Sequence, residues 1–315
     1  MDNDNYTFTV FTPAYKCEKT IHRVFESLEN QTFKDFEWII VDDASPDNFQ
    51  SVLKNLLASS NINFKILVHD ENKGKHFAWN LALKYAKGKF FVPADADDSF
   101  IPETLEIFLS FWNQIPKNQQ NEFSGVNVLC KDPYTNKIIG NKYPNAPLVS
   151  NNLELGYRYK INGEKWGMIR TDILRKYPFP EFKSNRGAYV ESYIWFSIAN
   201  AGYKVICHNI ALRNYYMDDS NSIIQKAIVN PKKSSKTMFH YLSWHINNNF
   251  IYMIRTGNYK LILKNLLNLF RNGWLENNSS ISIIKILKDN RLRLILIPFV
   301  PFFYIVYLIT YSKFK

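Results

Sequence analysis

Three carboxylates fall within four residues in Pro93-Ala94-Asp95-Ala96-Asp97-Asp98, directly after an apolar run. Like charges this close repel unless something compensates them. A hard divalent ion such as Mg²⁺ or Mn²⁺ prefers carboxylate oxygen and keeps water or phosphate in its other positions, so it is the natural compensation. In an extended D-x-D segment, side chains two apart lie on one side of the backbone, so Asp95 and Asp97 can address one ligand across Ala96. The segment reads as a diphosphate-plus-metal site, or as an acidic turn capping a helix that begins near Pro102. A second acidic cluster closes Ile39-Ile40-Val41-Asp42-Asp43-Ala44-Ser45-Pro46-Asp47. An ionised acid offers only acceptors, so a carboxylate here can take an N–H from a bound base, while Ser45 or Asp47 can cap the next helix. Between the two clusters, residues 71–80 form a glycine-containing basic loop opening a helix. Its N–H groups, helix dipole and Lys75 could cradle an anion, or it is simply a basic helix start.

These residues sit where an α/β sheet would put them. Residues 7–12, 37–41, 64–69 and 89–93 are short β-branched or aromatic runs, and residues 19–28, 49–58 and 76–86 between them read as helices. That alternation predicts βαβ units with right-handed crossovers and a mostly parallel central sheet flanked by helices. In such sheets the ligand crevice lies beyond the carboxyl ends of the strands. Tyr15 follows the first run, Asp42 and Asp43 close the second, and Asp95 and Asp97 follow the fourth.

Composition narrows the class. In 315 residues, 46% are apolar and 16% aromatic, which excludes a chain disordered over most of its length. A formal charge of +11 favours anionic partners. A nucleic-acid partner is not expected, because acids at the strand ends would repel it from the crevice. Cys17, Cys130 and Cys207 are odd in number and widely spaced, which points to a reducing compartment. Met1-Asp2-Asn3-Asp4-Asn5 carries acids where a signal peptide has a basic stretch, so the chain is expected to start in the cytosol. After residue 215 the character becomes helical and basic. Residues 294–312 are then uncharged, with Arg291 and Arg293 before them and Lys313 and Lys315 at the end. About 20 apolar residues span a bilayer, yet Pro298 and Pro301 would kink this run, so a membrane-surface or re-entrant segment is expected over a clean span, with a helix packed on the domain as the alternative. The expected organisation is a catalytic domain over 1–215, a basic helical extension over 216–290 and a hydrophobic segment over 291–315.

Taken in order, the segments resemble the family-2 glycosyltransferases, whose fold is called GT-A. Thr12-Pro13-Ala14-Tyr15-Lys16-Cys17-Glu18 is similar to the family's P-x-Y-N opening, with Lys16 where asparagine is usual. Ser27-Leu28-Glu29-Asn30-Gln31-Thr32-Phe33 is similar to S-x-x-x-Q-T-F/Y, and 41–47 to V-D-D-G-S-x-D. Asn72-Lys73-Gly74-Lys75-His76, Ala86-Lys87-Gly88-Lys89 and Asp95-Ala96-Asp97-Asp98 complete the register over roughly the first hundred residues. The resemblance implies a Rossmann-like α/β sheet with a C-terminal helical extension. It also implies a nucleotide-sugar donor, usually UDP-linked, and Mg²⁺ or Mn²⁺. Thr12, Pro13, Ala14, Tyr15 and Glu18 would line the nucleotide, with Tyr15 flanking the base and Asp43 taking its ring N–H. Asp95, with Ala96, would meet the ribose side, and Asp95 and Asp97 would hold the metal; beyond the resemblance, the charge of Lys75 in the basic loop makes it an expected further phosphate contact. Glu191 stands where the family carries its E-D pair containing the catalytic base, with Ser192 as the second residue.

The activity so implied is inverting transfer of a hexosyl or N-acetylhexosaminyl group to a glycan or lipid-linked acceptor. Its setting would be the cytoplasmic face of a membrane, in polysaccharide, lipopolysaccharide or glycoprotein synthesis. Residues 164–167 and 177–182, rich in aromatics, are expected on the acceptor side. A protein that keeps the fold only to bind a nucleotide sugar or a partner is the alternative.

Overall fold

The computed structural model describes residues 5–181, 190–216 and 234–311. The chain divides into two compact units, Met1–Glu181 with Ile194–Asp219, and Phe182–Tyr193 with Ser220–Lys315.

The first unit is built on one sheet. Its opening strands are β1 (Tyr6–Ala14), β2 (Phe36–Asp42), β3 (Asn63–Val68) and β4 (Gly88–Pro93). They alternate with helices α1 (Ile21–Glu29), α2 (Phe49–Leu57) and α3 (Lys75–Tyr85). There follow β5 (Ser99–Phe100), α4 (Thr104–Asn113), β6 (Phe123–Lys131), β7 (Leu148–Ser150) and β8 (Lys165–Arg170). Short α5 (Thr171–Lys176), α6 (Ser192–Asn200) and β9 (Lys204–Asn214) complete it. Among the described residues nine strands form one sheet in the order β3-β2-β1-β4-β8-β6-β9-β5, with β7 on β9. The first four are mutually parallel, as the helical crossovers require. From β8 onward the pairing is mixed: β8 runs antiparallel to β4 and β6, and β9 is parallel to β6 but antiparallel to β5 and β7. The expected mostly parallel sheet thus holds only for its first half.

Why these segments become central strands is plain from their composition. All seven residues of β2 are buried; five are apolar, as a strand covered on both faces favours, and its two acids are hydrogen-bonded, Glu37 accepting from the Thr9 hydroxyl and Asp42 from Gln50 Nε2, each at 2.7 Å. Phe8, Val10 and Trp38 enter the core beneath α1, α2 and α4. On β1, Phe11 instead stacks on Phe91 at 5.4 Å and meets Trp79 of α3 edge-on at 5.7 Å. Gly88 begins β4 because a Cβ there would come within 2.2 Å of the Thr9 backbone nitrogen. The three cysteines are buried and unbridged.

The second unit is helical: α7 (Ser235–Arg255), α8 (Tyr259–Leu275), α9 (Ser280–Lys285), α10 (Asn290–Leu296) and α11 (Val300–Tyr311). α7 packs on α8, and α11 also packs on α8, through Phe303 on Phe270 (4.8 Å between ring centres) and Tyr304 and Tyr307 on Trp274. Phe303 is buried, while Leu294, Ile295, Ile297, Phe302, Ile305, Leu308 and Ile309 are exposed. One face is therefore anchored and the other is bare hydrocarbon. The stretch Asn290–Ile309 has the length and composition to cross a membrane.

Candidate active site

The ends of β1, β2 and β4 carry the residues singled out by their chemistry. Two turns there hold non-glycine residues in the left-handed region, Lys16 (φ 54°) and Ala44 (φ 56°). Asparagine and glycine adopt that conformation most readily, and they are the residues the family pattern carries at these two positions. The turns are tied together: the Lys16 N–H donates to Ser45 Oγ at 3.2 Å, Glu18 N–H to Asp47 Oδ2 at 3.2 Å, and Asn48 N–H to Glu18 Oε2 at 2.9 Å. Glu18 thereby braces the start of α2. Thr12 is fully buried, and its hydroxyl accepts from the Trp38 indole at 2.9 Å, so its side chain supports the crevice from below. Pro13 is partly covered and Ala14 buried, while Tyr15 is exposed with Lys16 Nζ 5.5 Å from its ring centre.

Asp43 is a hub. Its Oδ1 accepts from His69 Nδ1 at 2.7 Å and from the Lys73 N–H at 2.8 Å, and its Oδ2 accepts from the Gly74 N–H at 2.7 Å. Burial alone would raise the carboxyl, but these donors outweigh it and hold Asp43 below the usual carboxylate range. Gly74, at φ 99°, makes the approach possible just ahead of α3. Of the groups in the loop at residues 71–80, the Lys73 and Gly74 N–H groups point at Asp43. Each carboxylate oxygen has two lone pairs, so one site on Oδ2 remains for an outside N–H.

After β4 the chain turns through the acidic cluster. Lys75 Nζ lies 2.7 Å from Asp95 Oδ1, and Arg213 Nη2 lies 2.8 Å from Asp95 Oδ2. Arg213 also donates through Nε to Asp98 Oδ2 at 2.6 Å and through Nη2 to the same oxygen. Burial would raise the Asp95 carboxyl, but the charges of Lys75 and Arg213 hold it far below its ordinary value. Burial pushes Asp98 up to about 7 against the pull of Arg213. Asp97 is raised by burial and then by the Asp95 charge, and among the described residues no side chain donates to its carboxylate. Arg23 Nη1 fixes the Asp97 carbonyl at 2.8 Å instead. Ala96 is buried between them.

The donor set is all oxygen, with Asp97 the member that no described side chain bonds, which suits a hard divalent ion. Among the described residues no three His, Cys, Asp or Glu converge to cage an ion. Diphosphate and water would complete its sphere, as Mg²⁺ sites commonly do. Asp95, expected to share the metal, has both oxygens on cations; in that state it suits a hydroxyl donor better than an ion.

Arg213, His69 and Arg23 were missed by motif reasoning. The only signal for Arg213 was a cation following the apolar pair Ala211-Leu212 near the end of β9. Of the stretches expected on the acceptor side, two aromatics are packing residues: Trp166 is buried against Phe100 and Phe108 with its indole N–H on the Pro93 carbonyl, and Phe179 is buried against Trp79, while Phe182 lies outside the described residues. Side chains alternate along β8, which turns Trp166 into the core. Asn80 of α3 clamps the Phe179 backbone at 2.8 and 3.0 Å. Glu191 belongs to the second unit, exposed on the turn before α6. Its neighbour Ser192 bonds Tyr241 at 2.8 Å, and His245 Nδ1 lies 3.3 Å from both Tyr241 Oη and Asn249 Nδ2, a buried polar ladder on α7.

Comparison with known proteins bears on this geometry. Among curated relatives, a UDP-Glc:alpha-D-GlcNAc-diphosphoundecaprenol beta-1,3-glucosyltransferase, WfgD of Escherichia coli, is 36% identical over 107 residues, covering 34% of this chain and 41% of the relative. The chain thus spans well under half of that relative's length. Two solved structures share the fold. S. aureus TarS 1-349 in complex with UDP-GlcNAc has a TM-score of 0.56 at 20% identity, covering 89% of this chain and 81% of the other. The mannosyltransferase PcManGT from Pyrobaculum calidifontis, in complex with GDP-Man and Mn²⁺, has a TM-score of 0.58 at 18% identity, covering 98% and 86%. The profile of glycosyl transferase family 2 matches residues 9–177, more than half of the 315, and the chain belongs to that family.

Proposed function

We propose that this protein is an inverting glycosyltransferase that moves a hexosyl or N-acetylhexosaminyl group from a nucleotide diphosphate donor, a UDP-sugar, to a hydroxyl of a glycan or lipid-linked acceptor. The observation that carries the reading is the arrangement after β4, where Asp95 is paired with Lys75 and Arg213 while the Asp97 carboxylate receives no described side-chain donor. Tyr15 flanks the base and the open lone pair of Asp43 takes its N–H. Asp95 accepts from a ribose hydroxyl, and Lys75 stands beside it for the phosphates. Asp97 would hold Mg²⁺ or Mn²⁺, which when bound stabilises the charge of the leaving diphosphate. Glu191 takes the proton from the acceptor hydroxyl, because an alcohol is a poor nucleophile until its proton has somewhere to go.

The proposed organisation is a catalytic domain over 1–215, a basic extension over 216–290 and a membrane-associating segment over 291–315. The relative WfgD is named for a diphosphoundecaprenol acceptor, and a lipid-linked acceptor here would lie where an exposed apolar face beside Arg291 and Arg293 can reach. The setting is the cytoplasmic face of a membrane, in cell-surface polysaccharide or lipopolysaccharide synthesis. The test is metal-dependent release of free nucleotide from a panel of nucleotide sugars, with and without acceptor glycans. Turnover of one donor with Mn²⁺, lost in Asp97→Asn, is expected. Binding of a donor without turnover under any acceptor would make the protein a nucleotide-sugar binder.

A further inference from the structure

We propose that Arg213 is a positioning residue of the donor site, a fixed internal cation that clamps Asp95 and Asp98 and so presents Asp97 as the carboxylate left for a divalent ion. The inference rests on the donor-site reading above.

Arg213 is reached only through the fold. The chain leaving the acidic turn becomes β5, which pairs with the end of β9 so that Phe100 lies opposite Arg213 and Ser99 opposite Asn214. Further bonds zip the same two stretches together: the Ile101 N–H donates to the Leu212 carbonyl at 3.2 Å, Asn214 Nδ2 to Ser99 Oγ at 3.0 Å, and the Tyr216 N–H to Asp98 Oδ1 at 3.1 Å. Residues 212–216 thus form a template against which the turn is cast. From it the Arg213 side chain, 4% exposed, reaches two of the three carboxylates, with Glu164 3.8 Å from its Nη1.

The fork geometry matters. A guanidinium is planar and presents donors in fixed directions, so one group spans Asp95 and Asp98 at once; an ammonium is a point charge and cannot hold both in register. With Asp95 also on Lys75, two of the three acids have cationic partners and keep their oxygens turned to them. The third, Asp97, has its backbone pinned by Arg23 and its carboxylate unclaimed by any described side chain. The result is a graded set in which an incoming ion meets one unneutralised acid. Without the clamp, Asp95 and Asp98 would both compete for that ion and repel Asp97.

The test uses the full chain in three forms: wild type, Arg213→Lys, and the double variant Arg213→Met with Asp98→Asn, which removes the buried pair without leaving an orphan charge. Mn²⁺ binding is read by electron paramagnetic resonance with and without UDP, UDP binding without metal by calorimetry, and folding by the thermal midpoint. Supporting groups around a metal typically change its affinity about 10–100-fold. The expected result is a rise in the Mn²⁺ Kd of that order for both variants, exceeding any change in metal-free UDP affinity. A double variant that binds Mn²⁺ as wild type does would show Arg213 to be only a partner for Asp98 and overturn the proposal. So would a lysine variant indistinguishable from wild type, and this arm decides if the double variant does not fold. If wild type itself binds neither UDP nor Mn²⁺, the donor-site reading fails first.

Discussion

Replacing Asp43 by asparagine alters one atom and tests the hub directly. The carboxylate serves His69 and Lys73 through Oδ1 and Gly74 through Oδ2. An amide oxygen has two lone pairs and can keep two of these donors, which sets its NH₂ against the third. The variant therefore loses one charge-assisted bond, about 1.5–3 kcal/mol, and weakens two others by roughly 0.5–1 kcal/mol each. The local loss is on the order of 3 kcal/mol, and every ~1.4 kcal/mol is tenfold in an opening equilibrium, so Gly74 should open about a hundredfold more often. Hydrogen–deuterium exchange of a peptide covering residues 69–76 measures this, and UDP titration of the same sample measures the consequence. UDP affinity should fall at least about tenfold, because the ligand must now order the loop as well as bind it. Wild-type exchange in the variant would refute the hub. Faster exchange with unchanged UDP affinity would keep the hub but remove Asp43 from the base.

Other outcomes follow from single features. Ala44→Gly should raise stability by roughly 0.5–1 kcal/mol in urea unfolding, since relief of a left-handed alanine exceeds the entropy glycine adds to the unfolded chain; a loss would mean that Ala44 is not strained. Burial holds the His245 ring down at about 4 from 6.5. As pH falls, the unfolded chain therefore binds a proton first, so the stability His245 contributes is intact above pH 6.5 and drains away toward pH 4. The loss is up to about 3 kcal/mol, and His245→Gln should flatten that slope in thermal melts. Phe302→Glu with Leu308→Glu should cut cosedimentation with anionic vesicles at least about tenfold, both side chains lying on the exposed face. Unchanged pelleting would move the membrane contact elsewhere.

Local signals proved most informative where they were also tertiary ones. The runs at 7–12, 37–41, 64–69 and 89–93 became β1 to β4 within a few residues: β1, β2 and β4 are largely buried and rich in apolar residues, as covered parallel strands are, while β3 is an exposed edge strand read from its β-branched and aromatic residues. The acids at their ends were conspicuous for the same reason. What local pattern could not carry was partnership. That Asp43 is met by the loop at 73–74, or Asp95 by a strand more than a hundred residues later, depends on crossovers that bring distant segments together. Trp166 illustrates the converse: an aromatic beside a polar stretch suits a sugar face, but its place in β8 commits it to the core. Lys16 was visible as a departure from a pattern, and only the backbone angle gives it, and Ala44 beside it, a physical meaning.

The three buried thiols offer a practical opening. Burial lifts Cys130 and Cys207 to about 12 and pushes Cys17 higher still, so none is a thiolate at neutral pH. Maleimide dyes should leave the folded wild type unlabelled. A single cysteine introduced at an exposed position such as Tyr134 would then take a fluorophore cleanly, without first stripping the native sulfur from the core.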